Sequence, residues 1–299
     1  MAMRRRTFLN LSAATAVGTG VTLLGAGQAH AAPAPAQPYA VGVRRYDWTR
    51  GSRPLTTYVY YPATGTPGGD PVTDAPVADG VFPVCEFTHG YGSSPQNSQA
   101  VIRPLAAAGF VVPGPHFQHN FDDVHNGNTA RDVSEILTRT LALNQGGDPL
   151  AGHIDAQAGL GVSGHSLGGM TTHGLLTAWP DSRVTAAIPM SCVDMGDPSG
   201  SVSAKTLFMH GDRDDTTAYS SARQAYSGTP APKAFLTFHG GGHSSYFGDS
   251  RTVNTFVDWM RWGLYEDTAA RDRLPSGAES SGTTWEFVGD DATGPAVHV

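Results

Sequence analysis

The chain has few cysteines, few charged residues and no excess of positive charge. Its two cysteines, Cys85 and Cys192, are too few for a disulfide-built scaffold, so a hydrophobic core must stabilise the fold. Charged residues make up 15% of the chain, and the formal net charge is −7. Such a composition offers no positive surface for a phosphate backbone or an anionic lipid. We therefore expect no nucleic-acid partner and no binding to membrane surfaces.

The first 31 residues are typical of an export signal rather than of a folded domain. Three arginines at positions 4–6 precede a weakly apolar run, and Ala-His-Ala at residues 29–31 offers a small-residue cleavage site. An arginine pair followed by Phe-Leu resembles the twin-arginine signal, which exports folded bacterial proteins. A membrane anchor is the alternative, but the run is shorter and more polar than the roughly 20 residues of a spanning helix. We expect a secreted protein without integral membrane association, whose net charge changes from −7 to −10 when the three arginines are removed.

Apolar runs alternate with helical patterns through most of the remaining chain. After a linker at residues 32–40, β-rich segments predict a meander, and later patterns include a helix over residues 132–143. This alternation predicts an α/β fold with a mostly parallel central sheet flanked by helices on both faces. We expect one catalytic domain over residues 41–271 and a C-terminal extension over 272–299. Within the extension, residues 285–288 could dock as a short strand or trail loosely, and the sequence leaves both readings open.

The pentapeptide Gly-His-Ser-Leu-Gly at residues 164–168 lies where a strand pattern ends and a helical pattern begins. This is the context of a nucleophile elbow, a sharp turn that exposes a serine above the end of a strand. Glycines are needed at both ends because the turn leaves no room for larger side chains. Ser166 is therefore the candidate nucleophile. The alternative is a chance pentapeptide with a helix-capping serine, and the additional Gly169 argues against it.

A serine nucleophile requires a histidine base and a carboxylate that orients this base. Both follow later in the chain, each after an apolar run, where sites in such sheets assemble. His243 lies in a glycine-rich loop that can bring its ring over the serine, whereas His239 lies closer to its strand and is interpreted as structural. The acid could be Asp214 or Asp215, which spacing alone does not separate. Asp212 is less favoured because it lies closest to the strand.

The reaction also needs two backbone N–H groups that stabilise the oxyanion. One is expected from Leu167, which follows the nucleophile. The other is expected from Tyr91, in the glycine-rich loop at residues 88–93 after the third predicted strand of the central sheet. An ordinary glycine-rich turn is the alternative for that loop.

Several histidines and acids cluster in a second loop and raise the question of a metal. They are His116, His119, His125, Asp122 and Asp123. Their irregular spacing matches no standard zinc pattern, and a serine triad needs no metal. We therefore predict neither a metal nor a cofactor.

Together, these motifs resemble the α/β-hydrolase fold over residues 41–271. More narrowly, the segments at residues 60–63, 82–84 and 89–92 resemble secreted bacterial serine esterases. These are the dienelactone-hydrolase-like proteins related to platelet-activating-factor acetylhydrolases, cutinases and polyester hydrolases. Arg-Pro-Leu-Ala at residues 103–106 looks most like the cutinase and polyester hydrolase branch. True dienelactone hydrolases use a cysteine nucleophile, so the resemblance to them implies ancestry rather than chemistry.

The cutinase branch places its triad aspartate four residues past the glycine that ends the preceding strand. Asp215, at the start of Asp-Thr-Thr-Ala, has this position after Gly211, so the resemblance favours Asp215 over Asp214. In polyester hydrolases a tryptophan follows the proline of the sixth strand and flanks the substrate ring. Here Met190 follows the corresponding proline, which departs from the family pattern, and we expect Met190 and Tyr91 to form apolar walls of the substrate cleft.

These features predict a secreted, monomeric serine hydrolase of carboxylic esters, which acts on a small molecule, a lipid or a polyester through an acyl-enzyme. The segment at residues 192–205 is too short for a helical lid, so we expect an open cleft. Cys85 and Cys192 lie about two strand spacings apart in this fold, roughly 10 Å, and we expect two free buried thiols. The alternatives are an acyltransferase that uses the same acyl-enzyme, or a non-catalytic binding protein on the same fold.

Overall fold

In the computed structural model, the described residues are 33–118 and 120–289. The predicted export signal at residues 1–31, His119 and the chain from residue 290 onward lie outside these ranges. Within the described part, no helix is both long enough and apolar enough to span a bilayer.

The strands form two mixed sheets whose order is β3-β1-β2-β5 and β4-β6-β7-β8-β9-β10. The two sheets meet where β5 runs beside β4, since the Cys85 N–H donates to the Val111 carbonyl at 2.9 Å. In chain order the strands are β1 (Ala40–Arg50), β2 (Arg53–Ala63), β3 (Val72–Thr73), β4 (Phe82–Thr88), β5 (Val112–Pro115), β6 (Ile154–His165), β7 (Val184–Met190), β8 (Lys205–Gly211), β9 (Lys233–Phe238) and β10 (Thr283–Val288).

The predicted α/β class is confirmed, but the strands pair in parallel mainly in the central part of the fold. Strands β4, β6, β7, β8 and β9 pair in parallel. The flanks are antiparallel, with β1 against β2, β2 against β5 and β9 against β10, except that the two-residue β3 pairs in parallel with β1. The short turn between β1 and β2 permits only an antiparallel hairpin, whereas parallel neighbours need a crossover connection.

Helices cover both faces of the central sheet. Helices α1 and α6 contribute buried side chains to the same core cluster as Cys85 and Phe87 of β4. On the other face, α3 packs with Val84 of β4, and α4 and α5 pack with Phe208 of β8. The α-helices are α1 (Gln99–Ala107), α2 (Phe121–His125), α3 (Asn128–Ala142), α4 (Leu167–Gly174), α5 (Tyr219–Gly228), α6 (Ser250–Leu264) and α7 (Thr268–Ala278).

Helix α3 buries the apolar face that its sequence pattern predicts, including Val133, Ile136 and Leu137. It begins at Asn128, four residues before the predicted start, because Gly127 adopts a left-handed conformation with φ 79° and forms the N-cap. The first turn carries few apolar residues, so the hydrophobic pattern alone does not show it.

The domain boundary predicted at residue 272 falls inside α7. Beyond that helix, β10 pairs antiparallel with β9, from Thr283 opposite Phe238 to Val288 opposite Lys233. The Trp285 ring also lies 6.4 Å from that of Trp259 on α6. The C-terminal segment therefore docks as a strand, and the domain continues at least to the end of β10.

At the other end, the predicted linker is packed onto the domain. Arg261 Nη2 donates to the Pro35 carbonyl at 2.8 Å, and the Tyr39 N–H donates to the Ala107 carbonyl at 2.8 Å.

The prediction of two free, buried thiols is confirmed. Cys85 lies on β4 and Cys192 follows β7, and β6 separates these two strands. Burial raises the pKa of both thiols, so neither is a ready thiolate.

Candidate active site

Ser166 lies in a strained turn between β6 and α4. Its φ is 58°, in the left-handed region that non-glycine residues rarely adopt, and it is the N-cap residue of α4. A Cβ atom on Gly168 would lie 2.0 Å from the Thr88 carbonyl oxygen, and one on Gly164 would lie 2.5 Å from the Gly168 carbonyl carbon. These contacts explain why the motif requires glycine, and the backbone geometry agrees with a nucleophile elbow.

His243 is oriented by a buried carboxylate. Its Nδ1 lies 2.8 Å from Asp214 Oδ2, and the Asp214 side chain is fully buried. The N–H groups of Thr216 and Thr217 both donate to Asp214 Oδ1 at 2.9 Å, and the Thr217 hydroxyl donates to Oδ2 at 2.8 Å. Burial alone would raise the pKa of Asp214, but these hydrogen bonds outweigh it and hold the pKa far below its usual range. The carboxylate is therefore ionised wherever a histidine base would operate.

The structure places Asp214, rather than the predicted Asp215, beside His243. Asp215 is exposed, and the Thr216 hydroxyl lies 3.4 Å from its carboxylate. After β8, Gly211 packs against Gly241 of the histidine loop, with a would-be Cβ only 2.2 Å from the Gly241 carbonyl oxygen. The chain then turns so tightly that the third residue after Gly211, rather than the fourth, faces His243.

The second histidine of that loop has a different environment. His239 Nδ1 lies 3.0 Å from Asp212 Oδ2, and its Nε2 lies 2.8 Å from the Thr284 hydroxyl of β10. His239 and Asp212 thus join the turn after β8 to the edge strand.

The His243 segment is held against the nucleophile elbow. The His243 carbonyl accepts a hydrogen bond from His165 Nε2 at 2.8 Å and another from the Ser191 hydroxyl at 2.9 Å. The rings of His165 and His243 lie 4.7 Å apart, and His165 directly precedes Ser166. Burial lowers the pKa of His165 to about 4, so this ring stays a neutral donor.

Neither His165 nor Ser191 was found from the sequence. His165 occupies a variable position within the elbow motif, and Ser191 belongs to no motif, so neither carried a signal.

The two residues expected to stabilise an oxyanion flank the elbow. Leu167 opens α4, so no carbonyl of that helix can accept its N–H. Tyr91 follows Gly90, where a Cβ would lie 3.1 Å from that of Ser166, so glycine allows the loop to approach the nucleophile closely. The Tyr91 side chain is 76% exposed and is available to a substrate.

Met190 does not form the expected apolar wall. Its side chain is fully buried in the core cluster that α1 and α6 cover, because it points to that face of the sheet as the last residue of β7. Its carbonyl instead accepts the Ser166 N–H at 3.0 Å and thereby fixes the elbow. Val193, three residues later, is partly buried beside the cluster that contains Leu167.

A cavity of about 220 Å³ lies beside the elbow, and both polar and apolar groups line it. Residues 191–204, which connect β7 to β8, form no helix or strand, so no helical lid lies in this connection. The cavity is lined by Gly90, Ser93, Asn97, Ser98, His165, Ser244 and Phe247.

Across residues 33–118 and 120–289, no three His, Cys, Asp or Glu side chains are grouped as metal ligands. Of the loop residues considered above for a metal, His125 instead stacks on Phe121, with ring centroids 4.3 Å apart.

Comparison with known families matches this architecture. The model of the family described as PETase, PET hydrolase-like, matches residues 49–289, whereas no curated protein matches the chain. The match covers most of the chain and includes every site residue described above. It confirms the resemblance to the polyester hydrolase branch of the α/β hydrolases. The chain therefore belongs to the PET hydrolase-like family of ester hydrolases.

Proposed function

We propose that the protein is a secreted serine hydrolase of carboxylic esters, which acts through Ser166, His243 and Asp214. The observation that carries this proposal is the 2.8 Å contact between His243 Nδ1 and a buried, ionised Asp214. His243 also packs against His165, which directly precedes Ser166, and Ser166 has a positive φ. Secretion is supported by the arginine-led segment at residues 1–31.

The protonation of His243 follows from its neighbour. Asp214 can only accept a hydrogen bond when ionised, so the neutral imidazole carries its hydrogen on Nδ1. The lone pair of Nε2 can then accept the Ser166 proton as the serine oxygen attacks the ester carbonyl carbon. The resulting imidazolium is stabilised by Asp214.

The remaining steps use the same three side chains together with two backbone N–H groups. The tetrahedral oxyanion accepts hydrogen bonds from the N–H groups of Leu167 and Tyr91, each worth roughly 10²–10³ in rate. His243 protonates the departing alcohol, which leaves Ser166 acylated. Water then loses a proton to His243, attacks the acyl carbon and releases the acid, and Ser166 recovers its proton.

The substrate class follows from the family and from the open site. The exposed Tyr91 ring and the absence of a helical cover between β7 and β8 suit a long, flat ester chain better than a small enclosed one. We infer a polyester substrate, with short-acyl esters as accessible surrogates.

Activity would be measured on p-nitrophenyl esters of increasing acyl length, an emulsified lipid and a polyester film. Ser166→Ala is expected to abolish turnover and labelling by a fluorophosphonate. Asp214→Asn is expected to lower kcat by several orders of magnitude, since loss of the triad acid leaves His243 in the wrong tautomer.

Asp215→Asn is the matched control and should retain wild-type turnover. Wild-type turnover by Ser166→Ala would refute the proposal. If Asp215→Asn loses most of its activity while Asp214→Asn does not, Asp215 is the triad acid. Product analysis with added alcohol separates hydrolysis from acyl transfer.

A further inference from the structure

A second histidine lies against the acid of the proposed triad. His210 occupies the penultimate position of β8, and its side chain is 1% exposed. Its Nε2 lies 3.2 Å from Asp214 Oδ2, the same oxygen that His243 Nδ1 approaches at 2.8 Å. The carboxylate therefore lies between two imidazole rings.

Hydrogen bonding determines where His210 carries its proton. Its Nε2 lies 3.1 Å from the Thr217 carbonyl oxygen, which can only accept, so the hydrogen is on Nε2. Its Nδ1 is buried and has no hydrogen-bond partner among the described residues. A second N–H there would be buried without an acceptor, which disfavours the imidazolium. His210 is therefore a neutral donor and not a base.

This donor acts on the turn that holds the carboxylate. Thr217 binds Asp214 through its N–H and its hydroxyl, and its carbonyl receives the His210 N–H. His210 thus anchors this turn to β8. Its Nε2–H also directs a partial positive charge towards the carboxylate.

Two further titratable side chains lie around Asp214, and both stay neutral. They are His165, at the end of β6, and Tyr246, in the loop after β9. Burial lowers the pKa of His165 to about 4 and raises the pKa of Tyr246. His210 follows the same trend, since burial lowers its pKa despite the nearby carbonyl and carboxylate. His243 is then the group around Asp214 whose charge changes during the proposed reaction.

We propose that His210 is a positioning residue that acts through Asp214. It fixes the carboxylate in the orientation that accepts the His243 N–H, and it shares the negative charge between two N–H groups. The inference rests on the proposed roles of Asp214 and His243. Without His210, the His243 N–H is the only imidazole donor beside the carboxylate, which then stabilises the imidazolium form of His243 more strongly. The turn that contains Thr217 also loses the hydrogen bond that anchors it to β8.

Two substitutions separate these effects from a structural role. His210→Leu removes the donor at similar volume, whereas His210→Gln can place an N–H near the original Nε2. His173→Leu is the matched control, because His173 is also buried but accepts the Met195 N–H through Nδ1. The measurements are kcat/KM against pH on a soluble p-nitrophenyl ester, and thermal unfolding.

For His210→Leu we expect kcat/KM to fall about tenfold and the acid limb of its pH profile to move about half a unit to higher pH. His210→Gln should restore both, and His173→Leu should change unfolding alone. The proposal is overturned if His210→Leu has the wild-type profile, or if His210→Gln fails to restore it.

A measurement on the wild-type enzyme covers the case in which His210→Leu does not fold. In a nitrogen-15 histidine spectrum, His210 should remain the neutral Nε2–H tautomer throughout the pH range in which the enzyme is active. An Nδ1–H tautomer, or titration within that range, would refute the inference.

Ser166→Ala distinguishes the two proposals. If it retains turnover, the proposed function fails whatever His210 does. If it is inactive while His210→Leu is kinetically unchanged, only the role of His210 fails.

Discussion

At the scale of single residues, Glu86 is a carboxyl group buried within β4. Its side chain is 1% exposed and accepts a hydrogen bond from the Thr88 hydroxyl at 2.5 Å. Burial raises the pKa of Glu86 from 4.5 to about 8, although hydrogen bonds from Thr88 and Ser163 oppose the shift. Between these two values the folded protein keeps a proton that the unfolded chain releases. This group therefore lowers stability as pH rises through that window and has no such effect below it.

Glu86→Gln should remove this pH dependence, because glutamine keeps the acceptor for Thr88 and cannot ionise. Its unfolding free energy should match that of the wild type near pH 4.5 and exceed it increasingly towards pH 8, by about 1 kcal/mol per pH unit. Denaturant titrations across this range would measure the difference, with the exposed Glu279→Gln as control. Parallel curves for wild type and Glu86→Gln would contradict the prediction.

How well the sequence predicted the role of a single residue depended on which contacts determine the position of that residue. The elbow containing Ser166 was predictable because its glycines meet backbone atoms that leave no alternative. The resemblance favoured Asp215 over Asp214, whereas the structure has Asp214 beside His243, since one residue of spacing depends on how Gly211 packs against a distant loop. Met190 was misassigned because the face to which a strand end points depends on the whole sheet.

At the scale of secondary structure elements, the edge strand β10 is held by aromatic contacts as well as by its pairing with β9. Trp285 stacks with Phe287 at a centroid distance of 6.4 Å, and Phe287 lies 5.8 Å from Trp262 on α6. An ion pair between Arg223 of α5 and Glu286 adds a link to the neighbouring helix. The sequence left this segment undecided, because pairing at a sheet edge depends on a partner strand about fifty residues away.

Trp285→Ala should therefore destabilise the domain by about 1–2 kcal/mol, whereas Trp285→Phe should retain most of the stability because a ring remains. Chemical denaturation of the three proteins would test this. Truncation after Ala278 should be more damaging, since it exposes the edge of β9. Wild-type stability in Trp285→Ala and in the truncation would restore the boundary at residue 272.

At the scale of the whole molecule, the domain holds together without covalent cross-links between its layers. Its cysteines are free and buried on either side of β6, and the core on each face of the sheet is continuous with the helices above it. This level was the most predictable, because alternating strands and helices leave few ways to bury both faces of a sheet. The antiparallel flanks were less predictable, since they depend on pairing between segments that carry no motif.

The melting temperature should accordingly be the same with and without dithiothreitol. A thiol reagent such as dithionitrobenzoate should react with neither Cys85 nor Cys192 until the protein unfolds, because both are fully buried. A lower Tm in reductant would reveal a disulfide that the structure does not contain.

The loop between β7 and β8, which contains no helix, has a consequence for access of a solid substrate to the site. Under the proposed function, a chain end or loop protruding from a film could reach Ser166 without first displacing a helix in this connection. Dissolved and particulate esters would then encounter the same catalyst in the same conformation. Differences between their rates would reflect the mobility of the polymer rather than that of the protein.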